Sequence, residues 1–362
     1  MGKIEILVSV AFLAGMASVA QDSTKEKTNL LSISGFAETY YSYDFNKPVD
    51  NRRPAFFYSY NRHNEFNINL AYVKGGYSAE RTRANIALAA GTYMNANYAG
   101  EPGVLKNIYE ANVGVNISKN KNLWLDIGIL PSHIGFESAH SPENWVLTRS
   151  IIADNTPYFE GGVKITYITR DSKWLMSALA LNGWQRIQRV PGNSLMSWGT
   201  QVQYKPSAKT TINYSTFLGT DKPDSVRKWR FFHNLYAIIR FNDKWGIIFD
   251  VDVGQEQKTN EGSRYNTWYG TACVLRFAPN NNWTVAFRGE YYSDAMKVII
   301  LTPTGNGFKT FGASLNMDRI INSNFLWRAE IRTLYSKDKI FIKGNDPVNN
   351  NTAITTSLAL TF

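Results

Sequence analysis

Cysteine is nearly missing from this chain, with Cys273 alone among 362 residues. A single cysteine excludes a disulfide-stapled scaffold, which needs an even set. Long apolar runs are missing as well: beyond the N-terminus no stretch reaches the roughly 18–20 apolar residues that a helical membrane span requires. Disorder is excluded from the other side, because 14% of residues are aromatic and only 19% are charged. Histidine is scarce, at positions 63, 133, 140 and 233. What remains is a chain of dispersed hydrophobic residues with 39 Lys and Arg against 29 Asp and Glu, a net charge of +10.

The N-terminus is the exception to the dispersal. An uncharged run from Ile6 to Ala20 follows Lys3 and closes on Ser18-Val19-Ala20, the pattern of a secretory signal cleaved after Ala20. Glu5 is untypical of such a start. No cysteine follows Ala20, which argues against lipidation, and the lead from Gln21 to Leu30 is too short for a plug domain.

From Leu31 onward the dominant period is two. Ile354, Thr356, Leu358, Leu360 and Phe362 alternate with Thr355, Ser357, Ala359 and Thr361; Ile247, Phe249, Val251 and Val253 alternate with Asp250 and Asp252. Such segments are half-buried strands. Breaks at Gly, Pro, Asn and Asp clusters divide the chain into sixteen of them. They run from Leu31–Phe45 and Asn64–Gly76 through Glu80–Asn95 and Lys173–Trp184 to Thr352–Phe362. Tight connections, such as Arg170 to Ser172 and Asn242 to Asp243, alternate with long ones, such as Asn46 to His63 and Pro131 to Pro157. That alternation predicts an all-β, transmembrane, antiparallel up-and-down barrel over 31–362, with short periplasmic turns and long extracellular loops. A sheet in lipid has no water to satisfy an open edge, so the Leu31 strand must pair with the Thr352 strand.

Aromatic residues recur beside the short turns. Tyr167, Tyr204, Phe241, Phe277 and Phe362 precede them or end the chain; Trp124, Trp174, Trp245, Trp283 and Trp327 follow them. This is the girdle expected at the periplasmic interface. Alternation points Trp245, Trp283 and Trp327 toward lipid and Trp124 inward. A soluble β-sandwich would bury its greasy faces without such a girdle.

A barrel of this size encloses water instead of filling itself with side chains. By parity the inward faces carry the acids Glu38, Asp44, Glu65, Glu110, Asp126, Glu160, Asp250, Asp252, Glu290 and Glu330. The same faces carry the bases Arg81, Arg83, Lys164, Arg230, Arg240, Arg276, Arg288, Arg328 and Arg332. Charges that would be costly in lipid are cheap in a wet lumen, where they stiffen the wall, select ions, or do both. The longest loop, 131–157, holds Phe136, Glu137, His140, Glu143, Trp145, Arg149 and Asp154. The expectation is that it folds inward and narrows the pore, its carboxylates facing wall arginines such as Arg81, Arg83, Arg288 and Arg328. An extracellular flap is the alternative.

Enzyme chemistry finds little support. No serine–histidine pair with an orienting partner stands out, and His133, Glu137, His140 and Glu143 have ligand types without a metal-site spacing. No catalytic residue, cofactor or metal is therefore expected. Arg52, Arg53, Arg62, Arg186 and Arg189 lie in long loops, where an anionic lipopolysaccharide surface accounts for part of the basic excess without any nucleic acid.

Several motifs resemble one family. The opening Ile33-Ser34-Gly35-Phe36-Ala37-Glu38-Thr39-Tyr40-Tyr41-Ser42-Tyr43, followed by Asn46-Lys47-Pro48, is similar to the start of the OmpL-like β-barrel porins (porin-2 family). So are Gly135-Phe136-Glu137-Ser138, Asn144, Thr148-Arg149-Ser150, Asp154, Pro157-Tyr158, Gly161-Gly162-Val163-Lys164 and Leu181-Asn182-Gly183-Trp184. The resemblance implies an outer-membrane pore of a Gram-negative bacterium passing small hydrophilic solutes or ions, and no catalytic residues. Similarity to outer-membrane proteins at large implies that terminal Phe362 is read by the barrel-assembly machinery. A homotrimer is compatible with this reading. The competing reading is a non-conducting barrel, its lumen blocked by loop 131–157, that serves as adhesin or anchor.

Overall fold

Alternating residues present one apolar and one polar face per strand, and in the computed structural model those strands close on themselves. The structure describes residues 30–260 and 262–362. The expected signal over 1–20, and all of the lead except Leu30, lie outside the described residues. The first half of the wall is β1 (Leu31–Asp44), β2 (Phe66–Ser78), β3 (Thr82–Ala90), β4 (Ile108–Asn116), β5 (Asn122–Pro131), β6 (Phe159–Ile168), β7 (Trp174–Leu181) and β8 (Ser197–Ser207). The second half begins with β9 (Thr210–Gly219), β10 (Arg230–Arg240), β11 (Trp245–Gln257), β12 (Tyr265–Asn280), β13 (Trp283–Asp294), β14 (Phe308–Ile320) and β15 (Phe325–Ser336). After a small hairpin of β16 (Phe341–Lys343) and β17 (Asp346–Val348) in the last long loop, β18 (Asn350–Thr361) completes it.

Every barrel neighbour is the next barrel strand in sequence, and β1 pairs β18 antiparallel from Phe36 with Thr361 to Asp44 with Ala353. The predicted closure and the sixteen wall strands are therefore present. Outside lies the apolar belt: Ile33, Val73, Ile86, Val113, Phe249, Phe287, Leu315 and Ile331 are all exposed. At its periplasmic edge Trp174 stacks on Tyr204 at 4.3 Å and Trp245 lies 4.5 Å from Phe277. Trp124 faces inward, with the Arg83 guanidinium 4.2 Å above its ring.

Two strand ends and one hairpin are the departures from the sequence expectation that shape the lumen and its rim. The strand expected over Glu80–Asn95 ends at Ala90, because Gly91 adopts φ 133° and starts the helix α1 (Thr92–Asn97). That helix buries Tyr93 and Met94 against Tyr98 and Phe159. The strand expected over Lys173–Trp184 ends at Leu181, and Trp184 turns inward to within 4.9 Å of both Phe217 and Phe232. The β16–β17 hairpin was not anticipated; its signal is Gly344-Asn345, with Gly344 at φ 59°.

Candidate functional site

Residues 132–158 leave the top of β5 and turn into the lumen. His133 sets the direction. Its two ring nitrogens lie 2.7 Å from Glu160 on β6 and 2.9 Å from the Thr216 carbonyl on β9, while the Ser215 hydroxyl donates to the His133 carbonyl at 2.6 Å. The Gly135 amide then donates to Asn234 on β10 at 3.1 Å. Further along, Phe136, Trp145 and Val146 pack against Ile248, Val274 and Ala286 of the opposite wall. The loop ends in a single helical turn, α2 (Ile151–Asp154), capped by Ser150, whose hydroxyl accepts from the Ala153 amide at 3.2 Å.

Three arginines fasten the loop. Arg288 donates to the Thr148 carbonyl at 2.6 Å and to Glu330 at 2.9 Å. Arg328 donates to the carbonyls of Ser141 and Asn144 at 2.6 and 2.9 Å and forks onto Asp318 at 2.8 and 2.9 Å. Arg332 bridges the Arg149 carbonyl and Glu290, both at 2.9 Å. The carboxylates complete the lattice from below: Glu330 accepts from the Thr148 amide at 2.6 Å and Glu290 from the Ile151 amide at 2.7 Å. On β1, Glu38 accepts from Ser141 at 2.6 Å and from Tyr60 at 2.9 Å. Buried charges are tolerable only when paired and hydrogen-bonded, and the loop backbone supplies the partners the wall lacks.

Burial shapes the loop's own titrating groups. It raises Glu137, which Arg288 at 3.9 Å pulls back down and which accepts from the Ser150 amide and hydroxyl. It pushes Asp154 up to about 7 against the pull of Arg332 and Arg149. His140, its ring 4.3 Å from Phe36 and 3.1 Å from the Tyr72 hydroxyl, is lowered to about 4 by burial and then by Arg149, so it is neutral at pH 7. Arg149, wholly buried, donates to the carbonyls of Ala139 and Leu147.

The loop touches several walls but does not seal their charges equally. The side chains of Arg288 and Arg328 are 0% exposed, whereas those of Lys74 and Arg83 on the facing wall are 32% and 24% exposed. On that facing wall the acids lie underneath and the bases on top: Lys74 covers Glu110 at 2.5 Å and Arg83 covers Asp126 at 2.6 Å, with Lys164 half-buried beside them. Glu143, on the loop, lies within electrostatic reach of Lys74 and Tyr72. Burial raises its carboxyl, and Arg149 and Lys74 draw it back.

The loop runs across the lumen, and its pairing differs from the expectation. Of the four arginines expected to face loop carboxylates, only Arg288 has one near, Glu137. Arg328 takes loop carbonyls and Asp318, Arg83 takes Asp126, and Arg81 is exposed in the turn after β2, donating to the Asn116 carbonyl. Glu65 sits at the outer rim, 2.6 Å from Arg62. Arg230 pairs with Glu256 at 2.6 Å, whereas Arg240 and Arg276 flank Trp145. Lys74 escaped the parity reading because β2 slips register opposite Glu38 and Thr39, inserting Asn69 and reversing the alternation beyond it. His133 and His140 are held separately, and among the described residues no group of three or more His, Cys, Asp or Glu is placed to hold a metal.

Residues 30–362 match the family model described as "Putative beta-barrel porin-2, OmpL-like". No curated protein matches the sequence. Among solved structures, an anion-selective porin from Comamonas acidovorans superposes with TM-score 0.60 at 9% identity, covering 92% of this chain and 99% of that one. The outer-membrane channel DcaP of Acinetobacter baumannii gives TM-score 0.60 at 10% identity, covering 92% and 97%. The trimer form of OmpT, an outer-membrane protein of Vibrio cholerae, gives 0.56 at 8% identity, covering 92% and 99%.

Proposed function

Because the chain belongs to the OmpL-like β-barrel porin-2 family, we propose that it is a passive outer-membrane channel for small hydrophilic solutes or ions, running between the third loop and the wall of β2 to β6. One observation carries the route. The loop buries the charges of β13 to β15 while leaving Lys74 and Arg83 part-exposed, so the open part of the lumen runs along the wall that carries them. Opposed charges, Glu143 on the loop and Lys74 on the wall, set a transverse field that orients dipolar solutes. No step of covalent chemistry enters this reading.

Export by a signal cut after Ala20 and insertion by the barrel-assembly machinery belong to the same proposal. So does contact of the long-loop arginines with lipopolysaccharide. A trimer form is recorded for the Vibrio cholerae barrel, and we extend that assembly to this chain; chemical crosslinking in outer membranes should give a three-chain species.

Planar-bilayer recording of the refolded barrel tests the function. Discrete ohmic steps are expected. Silence from protein shown by heat-modifiable migration to be folded would favour an adhesin or anchor instead.

A further inference from the structure

Deep in the lumen, at the periplasmic end of the third loop, two arginines lack acidic partners. Arg240 closes β10, and Arg276 lies on β12 near its periplasmic end. The register aligns both on Gly246 of β11, giving a row Arg240, Gly246, Arg276 across three adjacent strands. Two strand spacings separate the outer members, about 10 Å of backbone. Trp145, at the loop's tip, sits over the gap: its ring is 5.8 Å from the Arg240 guanidinium and 5.7 Å from that of Arg276. Only glycine leaves room for it, because a Cβ at position 246 would come within 2.6 Å of the indole.

The other lumen arginines on these strands and on β13 to β15 are neutralised. Arg230 has Glu256, Arg288 has Glu330, Arg328 has Asp318 and Arg332 has Glu290. Among the described residues no carboxylate lies within ion-pair distance of Arg240 or Arg276. The charges Arg276 feels are Arg240 and Asp318, and Asp318 is committed to Arg328 at 2.8 Å. Both side chains are half-buried, not sealed. Two guanidinium groups that repel one another, held by an aromatic ring and open to water, form a preorganised receptor for an oxyanion.

We propose that Arg240, Trp145 and Arg276 form an oxyanion-binding station at the periplasmic exit, taking carboxylate- or phosphate-bearing solutes and making the channel prefer anions. This deepens the channel reading above and rests on it. On the other side of the lumen Lys74 and Arg83 lie part-exposed over the covered acids Glu110 and Asp126, so cations face the water on both walls.

The test is the double variant R240Q/R276Q beside R52Q, which removes an exposed charge in the first loop. Since neither lumen arginine neutralises a carboxylate, the double variant should fold. In a potassium chloride gradient the intact protein should show an anion-selective reversal potential, and periplasmic-side inorganic phosphate should lower its chloride current. The double variant should shift the potential toward cations and lose most of the phosphate effect, while R52Q should keep both. Calorimetric titration of the detergent-folded protein with inorganic phosphate reads the station without conduction. Binding in the intact chain that the double variant loses supports the station even if the bilayer is silent, which would sink only the channel reading. Equal potentials and equal phosphate binding in the intact chain and the double variant would overturn the station while leaving the channel standing.

Discussion

Arg328 fastens the middle of the third loop, because one guanidinium holds two loop carbonyls and both oxygens of Asp318. Truncation to alanine strands a buried carboxylate and frees the loop's middle. Removing one member of a buried pair costs about 3–5 kcal/mol, so R328A should lower the melting temperature read by heat-modifiable migration and make single-channel current noisier. Asp154 makes a pH prediction. Its carboxyl stays protonated in the folded loop up to about pH 7, while an aspartate in the unfolded chain ionises near 4. Between those values the folded state binds more protons, so this contribution to stability is complete below about pH 4 and is lost as pH rises through 7. D154N removes the titration. Its melting temperature relative to the parent should therefore climb from pH 4 to pH 8, by an amount corresponding to a few kcal/mol; a constant difference across that range would contradict the assignment.

At the scale of the element, the third loop is a fixed partition instead of a mobile lid. Its backbone is bonded to β9, β10 and β13 to β15, its side chains to β1 and β6, and its apolar tip is packed against Ile248 and Val274. Excision of Phe136 to Trp145 should raise single-channel conductance while the barrel still closes, since the strands pair without it; unchanged conductance would remove the loop from the constriction. The inward turn was legible in the length and aromatic content of 131–157. Its partners were not. A sequence shows Arg328 and Glu143 as opposite charges, and nothing in it says that the guanidinium will meet carbonyl oxygens instead, a choice made by the backbone path across the lumen. Lys74 was lost for a related reason, because a single inserted residue at Asn69 reverses inside and outside for the rest of β2.

For the whole molecule, closure depends on the seam between the first and last strands. Phe362 exchanges backbone hydrogen bonds with Gly35 at 2.8 and 3.0 Å, and its ring covers that glycine on the outer surface. An unpaired edge has no water to satisfy it in lipid. Deletion of Phe362 should lower the yield of heat-resistant barrel in outer membranes and in detergent refolding. A loss confined to membranes would point to recognition by the assembly machinery, and equal loss in both to the seam itself.

Period-two alternation, turn residues and girdle aromatics determined most of the architecture from sequence alone, because each depends on neighbours along the chain and on a lipid exterior that every strand meets alike. The strand count, the closure and the inward faces of nearly all strands follow from those local rules. Which charges remain wet was decided only in three dimensions. Arg276 and Arg288 look equivalent as inward arginines on adjacent strands, yet one is covered by a loop residue more than a hundred positions away and the other stands beside Trp145 with no acid in reach. Pairing across the lumen depends on where distant segments come to rest, and that is a property of the closed barrel and the loop folded within it.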